Sequence, residues 1–202
     1  MGQPGGVELE GSSMLEVVAI LALVALVGGY IWYVSIIGRR NKAQEAFSGI
    51  DVQLKKRHDL IPNILKVARR FMEHEKDLLE EVTRLRAKAM EQEGARPADA
   101  GEKFEIERQL QAGLGRLMVA VENYPNLKSD THMLEAQRSL NEVEANIAAS
   151  RRFYNASVTS LRNSIQIFPG TVIARMAGVE EMPFFEAADT DREPVDAGAY
   201  LG

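Results

Sequence analysis

The chain has 202 residues, 46% of them apolar and 26% charged, which is enough for one domain of ordinary size together with an anchor and tails. Aromatic residues are only 6% and favour helices packed by aliphatic side chains, while a formal charge of −5 gives no bulk argument for nucleic acid. Cysteine is absent, which excludes disulfides, thiolate metal sites, a cysteine nucleophile and a lipoprotein anchor together. Charge is unevenly placed: residues 1–38 carry −3, residues 39–76 carry +5 and residues 77–202 carry −7.

Residues 1–13 read as a short N-terminal tail and residues 14–38 as a transmembrane helix. Its centre, Val17 to Ile37, is an uncharged run of 21 residues, VVAILALVALVGGYIWYVSII. At 1.5 Å per residue such a helix is about 31 Å long, matching a hydrocarbon core of about 30 Å. A soluble core helix would need neighbours on every side. A cleaved signal peptide would carry a basic start and a small-residue cleavage site, and neither is present. Arg39, Arg40 and Lys42 follow the run directly and the preceding flank is acidic. The positive-inside rule then places the N-terminus outside and the C-terminal domain in the cytoplasm. Tyr30, Trp32 and Tyr33 stand where an aromatic belt belongs. Ala22, Ala25 and Gly29 share one face that suits helix–helix contact.

Residues 39–178 read as a helical bundle. Ala43, Phe47, Ile50, Leu54, Ile61 and Leu65 recur at helical spacing, and nothing before Ala43 except Gly38 interrupts the span, so the membrane helix is expected to run on as a rigid stalk. Pro62 marks a kink or a restart, with Asp59 as a cap. Phe71, Leu78, Val82 and Leu85 continue the apolar pattern before a Gly- and Pro-rich loop at Glu93–Gly101. A third helix is expected over Glu102–Asn123, where Gly113 and Gly115 mark a close crossing. Tyr124, Pro125 and Asn126 form a turn, and a fourth helix runs from Thr131 to Phe168 before Pro169 and Gly170 stop it. Residues 171–176 add a helical turn or two, and residues 179–202 read as an acidic tail. The fold class is all-α: a transmembrane helix continuing into a long antiparallel bundle of about four helices.

Chemistry is hard to find. His58, His74 and His132 each stand alone without a second ligand at helical spacing, no Glu-x-x-His occurs, and phosphate-loop and nucleophile-elbow motifs are absent. Glu105 and Glu107, like Glu142 and Glu144, are two apart and diverge on a helix, which suggests a solvated face. Asp51, Arg57 and Asp59 suggest a helix-surface ion network, with Lys55 in reach of both acids. No catalytic, cofactor-binding or metal residues are assigned, and neither nucleic acid nor a small-molecule substrate is expected.

Two blocks carry a resemblance. AFSGIDVQLKKRHDLIPNILKVARRFMEHEKDLLEEVTRLRAKA, Ala46–Ala89, and ENYPNLKSDTHMLEAQRSLNEVEANIAASRRFYNASV, Glu122–Val158, resemble the LemA family of bacterial membrane proteins. Phe168–Gly170 and Phe184–Phe185 fall where that family has similar features. After Tyr154–Asn155 the family tends to show a second Tyr-Asn, where this chain has Leu161–Arg162–Asn163. The resemblance implies a single N-terminal span and an antiparallel bundle in the bacterial inner membrane, with no agreed catalytic activity. It is similar to envelope proteins of which some are tied to magnetosome membranes and others found near membrane proteases. Its signature positions include Asp51, Arg57, Asp59, Pro62, Tyr124, Pro125, Asn126, Tyr154 and Asn155, and Asn155 is expected to bond across the bundle. The expected role is structural: self-assembly into a homo-oligomer that organises membrane lipids, or docking of another envelope membrane protein.

Overall fold

A computed structural model describes residues 7–185, with side chains from residue 14. Six α-helices and no strands are found among the described residues: α1 (Val7–Ala68), α2 (Lys76–Glu91), α3 (Gly101–Val121), α4 (Pro125–Lys128), α5 (Thr131–Gln166) and α6 (Gly170–Met176). The expected acidic tail lies outside the described residues from 186 onward. Helix α1 already includes residues 7–13, where a tail was expected.

Helix α1 is uninterrupted over 62 residues, about 93 Å. It is exposed across its most apolar stretch, which is long and apolar enough to cross a membrane. Pro62 neither restarts it nor ends it. A proline has no N–H for the carbonyl four residues back, here that of His58. Arg86 Nε of α2 donates to that oxygen at 2.7 Å, so the orphaned acceptor is satisfied from a neighbouring helix.

The C-terminal half of α1 packs with α2, α3 and α5 in an up-down-up-down bundle. Helix α5 runs antiparallel to α1, as Arg39 to Ser160, Phe47 to Tyr154 and Arg57 to Glu144 show. Helices α2 and α3 form an antiparallel hairpin in which a Cβ built on Gly113 would stand 3.4 Å from Val82 and 3.5 Å from Leu85. That is the close crossing its sequence suggested; Gly115 is exposed and has no such neighbour. Asp130 caps α5, accepting from the backbone N–H groups of His132 and Met133.

Two differences from the sequence reading matter for function. First, α1 is not a bare stalk: α5 and α6 cover it from Trp32 onward. Second, residues 179–185 are not part of a tail. Val179, Met182 and Phe185 are buried, and Phe185 stacks on Phe104 with ring centroids 4.3 Å apart.

The apolar interior forms two clusters. The membrane-proximal one contains Ile36, Phe47, Leu54, Phe104, Tyr154, Leu161 and Phe185. The distal one contains Ile61, Met72, Val82, Leu110, Leu117, Leu127 and Leu140.

Candidate functional site

Between the two clusters the bundle buries a layer of polar side chains to which all four long helices contribute. Arg57 and Glu107 are 1% and 0% exposed, and His58 is 3% exposed. Arg57 forms an ion pair with Glu107 and donates through Nη1 to Glu144 Oε1 of α5 at 3.1 Å. Its Nη2 also donates to the Glu107 backbone oxygen at 3.3 Å. His58 Nε2 lies 2.9 Å from Glu107 Oε1. An ionised carboxylate only accepts, so Nε2 is the donor in this bond. At the edge of the layer Lys103 Nζ donates to Asp51 Oδ1 at 2.7 Å and lies 5.3 Å from the Phe47 ring centroid.

Burial pushes the Glu107 carboxyl up, but the His58 hydrogen bond and the Arg57 and His58 charges outweigh it and hold it below the usual range. A group whose pKa is depressed by folding contributes stability above its unfolded value and loses it as pH falls through its folded one. The bundle is therefore expected to lose stability as pH drops below about 4.5, the ordinary Glu value, and Glu107→Gln to flatten that limb. Thermal unfolding of both proteins across pH 3 to 7, roughly the carboxylate range upward, measures this.

His58 Nδ1 and Arg57 Nε are buried without a hydrogen-bond partner. A cleft of about 230 Å³ lined by Asp51, Lys55, His58, Glu93 and Lys103 reaches the imidazole, with Glu93 Oε1 3.9 Å from Nδ1. Among the described residues no group of three or more His, Asp or Glu side chains could hold a metal ion. No hydroxyl or thiol nucleophile lines the cleft. The layer ties α1 to α3 through Glu107 and to α5 through Glu144, by way of one buried guanidinium.

The expected surface network of Asp51, Arg57 and Asp59 does not form. Arg57 is interior, Asp51 pairs with Lys103 on α3, and Asp59 is exposed. Glu107 likewise points inward, not to a solvated face. The sequence reading missed Glu107, His58, Lys103, Glu144 and Arg86 as partners. A signal was present: Glu107 falls at helical spacing within the stripe Phe104, Leu110, Leu114 and Leu117, and Arg57 within Leu54, Ile61 and Leu65.

The remaining expected positions serve two ends of the bundle. Tyr124 precedes α4 and packs on the distal cluster, Pro125 opens α4, and Asn126 is exposed on it. Tyr154 donates to the Pro183 backbone oxygen at 2.8 Å, and burial pushes its hydroxyl pKa up. Asn155 does not bond across the helices. It clasps residue 185, donating to the Phe185 carbonyl and accepting from its N–H, each at 2.9 Å. At the membrane end Arg39 donates to the Ser160 backbone oxygen at 3.1 Å, Lys42 lies 5.8 Å from the Phe153 ring centroid, and Arg40 is half-buried. Trp32 faces the domain and not a lipid belt: it packs on the proximal cluster beneath Gly170.

The model of the LemA family matches residues 46–197. Protein LemA of Metamycoplasma hominis is 25% identical over 184 residues, covering 88% of this chain and 81% of the relative. Magnetosome protein MamQ 2 of Paramagnetospirillum magneticum and Magnetosome protein MamQ of Magnetospirillum gryphiswaldense are each 22% identical, covering 90% of this chain and 75% of theirs. With three-quarters of its length matched by the family model, in an all-helical frame led by one candidate membrane span, this chain belongs to the LemA family.

Proposed function

We propose that the protein is a non-enzymatic, membrane-anchored structural protein that self-assembles to organise the bacterial envelope membrane. The observation that carries this reading is the unbroken α1: one helix is both the candidate span and a wall of the bundle. A helix stiff over that length ties the tilt of the span to the position of the domain, so packing of domains side by side would act directly on the bilayer. Ala22, Ala25 and Gly29 supply a small-residue face for contact between spans. The magnetosome relatives support a role at a membrane. Arg39, Arg40 and Lys42 argue for an inner-membrane protein with its bundle in the cytoplasm.

The particle mass of the full-length protein in mild detergent tests the proposal. A large, uniform assembly of this chain alone is expected; a monomer or dimer would sink the self-assembly reading. A second reading, an adaptor for another envelope protein, is favoured by the open α2–α3 groove, where Ala112, Gly115 and a 70% exposed Val119 meet Glu81 and Arg116. Stoichiometric co-purification of a different membrane protein would move the conclusion to it.

A further inference from the structure

The α5–α6 corner leaves four large apolar side chains uncovered. Ile167, Phe168, Val172 and Met176 are 53 to 84% exposed. Isolated exposed apolar residues are ordinary, but these four crowd one turn of chain. Val172 and Met176 share the outer face of α6, whose inner face places Ala174 and Ile173 on the proximal cluster.

The register of α5 on α1 gives the depth of this corner. Paired residues on the two helices have numbers summing to about 200, from Arg57 with Glu144 through Phe47 with Tyr154 to Arg39 with Ser160. Carried on, the rule sets Ile167 and Phe168 level with Trp32 and Tyr33. Contact confirms it: a Cβ on Gly170 would meet Trp32 Nε1 at 2.8 Å. Trp32 lies five residues before Ile37, so the corner stands about 7.5 Å inside the end of the apolar run. It is also where the chain reverses. Beyond α6 it climbs back along α5, with Arg162 Nη2 3.3 Å from Glu181 and Asn155 bonded to residue 185. Among the described residues, nothing in the bundle reaches lower than this turn except α1 itself.

We propose that the α5–α6 corner is a lipid-inserting wedge, lying in the headgroup–acyl boundary of the membrane that α1 crosses. Four apolar side chains at that depth enter the boundary as those of an interfacial helix do, and Arg175 on the same short helix reaches the phosphates. The bundle is thereby seated on the bilayer at two points, the span and the wedge, which fixes its rotation about α1. The inference rests on α1 being a membrane span.

The absence of cysteine makes the test direct. Single-cysteine variants Val172→Cys and Met176→Cys, with Ala25→Cys in the span and Asn126→Cys at the far end, are spin-labelled. Each full-length protein is then reconstituted in vesicles of phosphatidylethanolamine and phosphatidylglycerol. Circular dichroism verifies that each variant keeps its helices. Collision with dissolved oxygen and with a water-soluble nickel chelate is compared. Labels at Val172 and Met176 are expected to collide with the chelate several-fold less, and with oxygen more, than the label at Asn126. Chelate access equal to that at Asn126, with Ala25 lipid-exposed, would overturn the wedge and leave the span intact. Protection from both reagents would mean that a second protein surface covers the corner, which also overturns it. An aqueous Ala25 label would instead remove the span on which the inference stands.

Discussion

Arg57→Met is expected to destabilise the protein by about 3–5 kcal/mol, because it strips the counter-charge from a carboxylate with no exposure to water. The loss comes less from the pair's own attraction than from leaving Glu107 ionised and buried with His58 as its remaining side-chain partner. The triple variant Arg57→Met, Glu107→Leu, Glu144→Met isolates this. Replacing all three charges by apolar groups of similar volume is expected to recover most of the stability, since a buried ion cluster is often no better than an apolar core of the same shape. Denaturant melts of the full-length proteins in one detergent compare them. A single variant within about 1 kcal/mol of the parent would mean that water reaches the layer and screens it. If the triple variant recovers stability but gives a less uniform particle mass than the parent, the layer's contribution is register.

Phe185→Ala is expected to cost about 3–5 kcal/mol, the range for truncating a buried phenylalanine. Its ring lies at 7° to that of Phe104, and its backbone is held at both ends by one asparagine side chain. Asn155→Ala removes those two hydrogen bonds and keeps the ring, so a smaller loss of about 1–3 kcal/mol is expected. Limited proteolysis separates the two effects. Either variant is expected to expose the chain after Gly178 to cleavage, whereas α1 to α5 remain protected. Resistance equal to the parent's in both would show that the segment is not held as the contacts imply.

The helices were legible in the sequence because a 3.6-residue recurrence of aliphatic side chains survives over long stretches, as at Leu110, Leu114 and Leu117. Their termini were legible where a proline stands, as at Pro169. Residues 179–185 escaped because VEEMPFF is too short for a period to be read, Pro183 argues against a helix, and its acids match those that follow. It packs as an irregular strap, with backbone groups satisfied by side chains of α5 that no periodicity identifies. The polar layer escaped for a related reason. A charge within an apolar stripe is read as an interruption until its partner is known, and Arg57 and Glu107 are 50 residues apart. The family signature pointed at Arg57, Tyr154 and Asn155 without indicating that the first faces inward and the last holds the strap.

Pro62 gives α1 a joint whose stiffness is borrowed. Elsewhere the helix is held by bonds within itself, but at the His58 carbonyl the donor is a guanidinium of α2. If the α2–α3 hairpin lifts away, that oxygen loses its donor and the helix is free to bend at the point where the proximal and distal clusters meet. The hairpin thus works as a splint. Anything that grips it from outside gains leverage on the angle between the far half of the molecule and the membrane.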